Sequence, residues 1–213
     1  GLGTPVGVVG GTVHLGTRGT LASVKAVNRV VGKLTDTLAA AGTVEPDAPP
    51  IPQRSDIVGT AAWVADAAIG VLNGSIGDHL AATGNPLDLG LRLRTEDRYL
   101  TTERLGAPAL VLVHGLATTE WCWSLDAEQA FGDPAATLGT LLGADLGATA
   151  VYARYNTGRR IHANGQALAD ALEAHGADAA RIVLLGHSMG GLVARSAYHH
   201  GVQAGHRWPR AVD

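Results

Sequence analysis

The strongest indication of the fold lies in residues 181–193, Arg-Ile-Val-Leu-Leu-Gly-His-Ser-Met-Gly-Gly-Leu-Val. The apolar run Ile182–Leu185 predicts a strand, and an apolar helical pattern begins directly after the glycines. Ser188 lies on the turn between them, with Gly186 two residues before it and Gly190 two residues after it. Glycine at both positions lets the strand and the helix approach closely, so that the serine hydroxyl projects above the sheet edge. The pattern predicts Ser188 as a nucleophile on a sharp strand-to-helix turn.

A second signal comes from residues 111–116, Val-Leu-Val-His-Gly-Leu, about 70 residues before the serine. His114 and Gly115 stand at the exit of another predicted strand. In acyl-transfer enzymes of this architecture, one backbone N–H of that loop and the N–H after the nucleophile bind the oxyanion. Here these donors are predicted to be the main-chain N–H groups of Leu116 and Met189. The positive end of the helix dipole behind the serine favours the same charge.

Strand and helix patterns alternate through the second half of the chain. The residues from Leu89 to Arg94 alternate apolar and polar, as in a half-buried antiparallel strand. Three short apolar runs predict parallel strands covered on both faces: Ala109–Val113, Ala148–Ala153 and Ile182–Leu185. Helical patterns fill the intervals, over Ala135–Leu142 after Asp133-Pro134 and over 161–176. This order predicts an α/β fold with crossover connections.

The first 85 residues have a different pattern of apolar residues, which predicts an α-helical N-terminal region. Apolar spacing predicts helices over 21–41, 56–72 and 75–82, with a Pro-rich linker at 43–55. We place the boundary with the α/β region between residues 85 and 86. These helices could cap the site, dock a partner or act as plain support, and their composition favours none of the three.

The stretch from about Ala107 to Gly201 resembles the first half of an α/β-hydrolase of the bacterial serine esterase/lipase kind. Val-His-Gly-Leu and Gly-His-Ser-Met-Gly-Gly are typical forms in that group. The segment beginning Tyr155-Asn-Thr-Gly is also similar to lipase-like proteins grouped with the PGAP1-like inositol deacylases. The resemblance implies a serine nucleophile, a backbone oxyanion hole and no cofactor. It also implies that His114 and Gly115 shape the oxyanion loop.

The family mechanism needs a histidine base and an acid after the serine. His199 and His200 fall on the predicted helix that follows Ser188, roughly 16–18 Å away along its axis. His206 follows the predicted end of that helix near Gly201, ~20 Å from the serine, and five extended residues cover at most about 17 Å. A base must come within about 3 Å. We therefore expect the histidine and the acid beyond Asp213, in a longer protein of which this chain is an inactive portion.

The remaining histidines and the sequence around Cys122 have simpler interpretations. His187 points away from its neighbour on a sharp turn and is predicted to pack. Cys122, the only cysteine, is predicted to be a small packing residue. Trp121 and Trp123 beside it either line an apolar acyl pocket or simply pack. Four histidines fall at predicted surface positions: His14, His79, His162 and His175.

Composition excludes several classes of function. The chain has 213 residues and a net charge of −3, so no basic excess supports binding to nucleic acid. No apolar run reaches the ~20 residues that a bilayer-spanning helix needs. A lone cysteine excludes a cysteine metal cage, and no spacing of ligands predicts a metal. The compartment stays open, with the cytoplasm slightly favoured.

The sequence thus predicts the N-terminal part of an enzyme that cleaves a small-molecule or lipid carboxylic ester. Acyl transfer to an alcohol other than water is an alternative on the same fold. A non-catalytic hydrolase-like binding module is another, and a protein partner is not specified.

Overall fold

The computed structural model describes residues 57–213, and the side chains from residue 62 onward. The predicted helix over 21–41 and the linker at 43–55 lie outside this range, and the boundary at residue 85 stays a prediction. Helices and strands follow in the order α1 (Ile57–Ala82), β1 (Leu91–Arg94), β2 (Ala109–Val113), α2 (Ala127–Phe131), α3 (Leu138–Leu146), β3 (Thr149–Tyr155), α4 (Ile161–Gly176), β4 (Ile182–Gly186) and α5 (Met189–Gln203). Short 3₁₀ helices cover Glu120–Ser124 and Trp208–Ala211. None of the helices described is long and apolar enough to cross a membrane.

The four strands form one mixed sheet in the order β1-β3-β2-β4. Strand β2 runs parallel to β3 and β4, with Val113 opposite Ala153 on one side and Gly186 on the other. Strand β1 runs antiparallel to β3. The predicted strands and their directions are confirmed, and every residue of β2 is buried, as expected for a strand covered on both faces.

Two apolar cores cover the faces of the sheet. On one face, α4 and α5 pack through residues such as Leu168, Leu172 and Val193. On the other face, Trp123 and Tyr152 pack with alternate residues of β2, and α3 covers them. Because β2 lies between both cores, its carboxyl end is held in place, and the loops that leave it start from a fixed point.

Two predicted helices have different bounds in the structure. The pieces predicted over 56–72 and 75–82 are one helix, α1, with a kink at Ile76 (φ −137°, ψ 22°). The predicted start of α3 at Ala135 is wrong, because Thr137 caps the helix through reciprocal bonds with Thr140. Asp133 instead closes the preceding turn by accepting a hydrogen bond from the Ala135 N–H at 2.8 Å.

Candidate functional site

Ser188 occupies the turn between β4 and α5 in a backbone conformation that L-residues rarely adopt, with φ 54° and ψ −122°. A Cβ on Gly190 would come within 2.0 Å of the Val113 carbonyl oxygen. A Cβ on Gly186 would come within 2.5 Å of Cα of Gly191. Both flanking glycines are therefore sterically required. The turn is exposed, so a ligand in solvent can reach the serine hydroxyl.

The loop after β2 lies directly against this turn. A Cβ built on Gly115 would stand 3.3 Å from Cβ of Ser188 and 3.1 Å from Nδ1 of His187. The His187 N–H donates to the Val113 carbonyl at 3.0 Å, which extends the pairing of β2 and β4 by one residue. The carboxyl ends of parallel strands meet at one sheet edge, and this brings the two sequence motifs together.

The two main-chain groups predicted to bind an oxyanion are placed at this edge. Met189 is the first residue of α5, so its N–H has no acceptor within the helix. Leu116 follows Gly115, and its side chain is 54% exposed. The next residue, Ala117, has a positive φ of 58°, which turns the chain sharply after Leu116. The oxyanion roles of Leu116 and Met189 stay predictions.

His114 is fully buried beneath this loop. Its ring stacks on Tyr155 with centroids 4.4 Å apart, and its Nδ1 lies 3.1 Å from the Gly115 carbonyl oxygen. Burial lowers the pKa of His114 to about 4, so the ring is neutral at pH 7. A buried neutral ring bonded to its own loop fits the predicted loop-shaping role.

The end of β3 and the residues after it form hydrogen bonds with the loop after β2. The Tyr155 hydroxyl donates to the His114 carbonyl oxygen at 2.6 Å, and the Thr157 hydroxyl accepts from the Ala117 N–H at 3.1 Å. Asn156 reaches the other way and donates to the Gly77 carbonyl of α1 at 2.9 Å. The side chains of Tyr155, Asn156 and Thr157 thus tie the end of β3 to the loop after β2 and to α1.

Helix α1 packs against the loop and against Asn156 through three glycines spaced four and three residues apart. A Cβ on Gly74 would come within 2.7 Å of Cα of Ala117, and one on Gly70 within 3.1 Å of the Thr118 backbone. A Cβ on Gly77 would collide with the Asn156 side chain. The spacing of these glycines along one helix face was the signal in the sequence, and it was missed.

Four buried charged side chains tie the same elements together. Arg154 donates to Asp66 at 2.6 Å and to Glu120 at 2.8 Å, and Arg94 donates to the other oxygen of Glu120 at 3.2 Å. Asp66 also accepts a short hydrogen bond from the Thr119 hydroxyl. Burial raises the pKa of Asp66, and the adjacent Arg154 opposes that shift. Sequence reasoning missed this network because its members lie up to 88 residues apart.

The other histidines lie away from the serine or show no bond to it. His206 Nε2 is 3.8 Å from Asp170, and His175 Nδ1 is 2.8 Å from the Glu103 carbonyl oxygen, so His175 is partly buried and only partly solvated. His187 is exposed, and its ring lies edge-on to Trp123. Within residues 57–213, no hydrogen bond joins the Ser188 hydroxyl to a histidine.

The residues around Cys122 form a 3₁₀ helix that begins at Glu120. Trp121 and Trp123 are both buried, and Trp123 belongs to the core between the sheet and α3, so packing rather than a pocket explains them. Burial raises the pKa of Cys122 to about 12, which argues against the thiol as a nucleophile. Across the described part of the chain, no group of three potential metal-ligating side chains occurs.

Residues 110–210 match a family model described as alpha/beta hydrolase family. The matched segment contains the loop after β2, the segment after β3 and the turn that carries the serine. No curated protein and no solved structure matches the chain.

Proposed function

Because residues 110–210 match the alpha/beta hydrolase family and carry its α/β fold, we propose that the protein is a serine hydrolase of carboxylic esters. The observation that carries the proposal is the conformation of Ser188. A non-glycine residue held at φ 54°, on an exposed turn between two sterically required glycines, is strained backbone of the kind that clusters at active sites.

In the proposed reaction, Ser188 Oγ attacks the acyl carbon and its proton passes to a general base. The N–H groups of Leu116 and Met189 stabilise the negative charge on the carbonyl oxygen. The carbon–oxygen bond to the alcohol then breaks, the alcohol leaves with a proton, and an acyl group remains on the serine. Water attacks this acyl-enzyme and releases the acid, which restores the hydroxyl. Attack by a second alcohol instead of water would make the same site an acyltransferase.

The supports of the oxyanion loop fit this mechanism. Preorganised donors are effective only if their loop does not move as charge develops. Hydrogen bonds from Tyr155 and to Thr157 restrain the loop, and Gly74 of α1 packs against Ala117 in it.

A fluorophosphonate probe tests the proposal on the full-length protein. We expect covalent labelling of Ser188, found by peptide mass spectrometry, and its loss in Ser188→Ala. The matched control is Ser196→Ala, on the same helix, which should leave labelling intact. Absence of labelling, or labelling that persists in Ser188→Ala, would refute the assignment and favour a non-catalytic binding module.

A further inference from the structure

An apolar groove of about 280 Å³ runs between α1 and the loop after β2. Helix α1 forms one wall, and the loop and the 3₁₀ helix after it form the other. The apolar part of its lining includes Trp63, Ala67, Val71, Ala117, Cys122 and Leu125. All six are apolar or weakly polar.

The lining of the groove is mostly apolar and favours an apolar ligand. Val71 and Leu125 are 54% and 48% exposed at its rim, so they present apolar surface to a ligand. The one carboxylate of the lining, Asp66, is already paired with Arg154 and Thr119. A ligand with its own charge would find no free partner in these side chains.

The groove also leads towards the candidate nucleophile. Ala117 lies two residues after Gly115, so their Cα atoms are no more than about 7.6 Å apart. Gly115 itself borders Ser188, as the 3.3 Å approach of a built Cβ shows. Leu116, between Gly115 and Ala117 in the chain, is also exposed and apolar. One ligand could therefore place a reacting carbonyl at Ser188 and an apolar extension in the groove.

The size of the groove limits that extension. Its volume lies just below the ~300 Å³ at which pockets for drug-sized ligands begin. The volume limits the length of a hydrocarbon extension rather than its branching. We propose that the groove binds an aliphatic chain of medium length on the acyl side of the ester. This inference rests on the proposed function and names its substrate class.

The test compares a long and a short ester on the full-length protein. Ala67→Phe places a ring in the groove, and Ala82→Phe, exposed at the end of the same helix and outside the lining, is the matched control. The readout is kcat/KM for p-nitrophenyl octanoate and for p-nitrophenyl acetate. We expect Ala67→Phe to lower the value for octanoate at least about tenfold, because burial of two methylene groups alone is worth that factor. The value for acetate should change less than about twofold.

Labelling by a small fluorophosphonate separates the two possible failures. If Ser188 is labelled in every variant and the octanoate-to-acetate ratio does not change in Ala67→Phe, the groove proposal is wrong while the hydrolase proposal survives. If the unmodified protein is not labelled, both proposals fall. An equal drop in Ala82→Phe would also overturn the groove proposal, because the effect would not depend on the groove.

Discussion

Replacement of Ser188 by glycine should stabilise the protein while it removes the proposed nucleophile. A residue held in a sparsely populated backbone region costs about 1–3 kcal/mol. Glycine adopts φ 54° without that cost, but the freedom it adds to the unfolded chain takes back about 0.4–1 kcal/mol. We therefore expect the free energy of unfolding to rise by about 1 kcal/mol, or the melting temperature by roughly 2–4 °C at this chain length.

Two other variants make the measurement specific, and urea unfolding monitored by circular dichroism is the assay. Ser188→Ala keeps Cβ and hence the strain, so its stability should stay within about 0.5 kcal/mol of the parent protein. Ser196→Gly lies inside α5, where glycine should lower stability by roughly 0.5 kcal/mol. If Ser188→Gly is no more stable than Ser188→Ala, the serine is not strained, and the argument that links its conformation to function fails.

Three further predictions concern the supports of the site, each read from urea unfolding. Gly74→Val should destabilise the protein by about 1–3 kcal/mol, because its Cβ would stand 2.7 Å from Cα of Ala117 in the loop after β2. Gly106→Ala is the control, because a Cβ there has nothing within 4 Å, and it should change stability by less than about 0.5 kcal/mol. Equal effects of the two variants would contradict the packing of α1 against the loop. The pKa of His114 is near 4 in the folded protein and 6.5 ordinarily. The unfolded chain therefore binds the proton first, and the free energy of unfolding should fall by about 3 kcal/mol as the pH drops from 6.5 towards 4. His114→Phe should remove that fall, and an unaltered pH profile would argue against the buried neutral ring. Arg154→Met leaves Asp66 buried without a cation, while Glu120 keeps Arg94, and should cost about 3–5 kcal/mol. Arg104→Ala, in an exposed pair, should cost about 1 kcal/mol or less. A small effect in Arg154→Met would mean that water already reaches the network.

The parallel strands and the serine turn could be predicted because their signals are local. Ile182–Leu185 is a continuous apolar run, and the glycines around Ser188 are fixed by contacts with the adjoining strand and helix. The predicted start of α3 was wrong because two nearby sequence signals compete. Asp133-Pro134 and Thr137 both resemble helix starts, and only the bonds actually formed decide between them.

The alternation of strands and helices, and the two motifs that parallel strands bring to one edge, can be read from the amino-acid sequence alone. How that edge is supported depends on contacts that form only in the folded protein. Tyr155 and Thr157 contact the loop after β2 across about 40 residues of chain, and Asp66 of α1 contacts Arg154 across 88. No periodicity encodes such pairs, because the partner of a buried charge depends on which elements the folded core places side by side. The groove follows from the same cause, since one of its walls comes from a helix outside the matched segment 110–210.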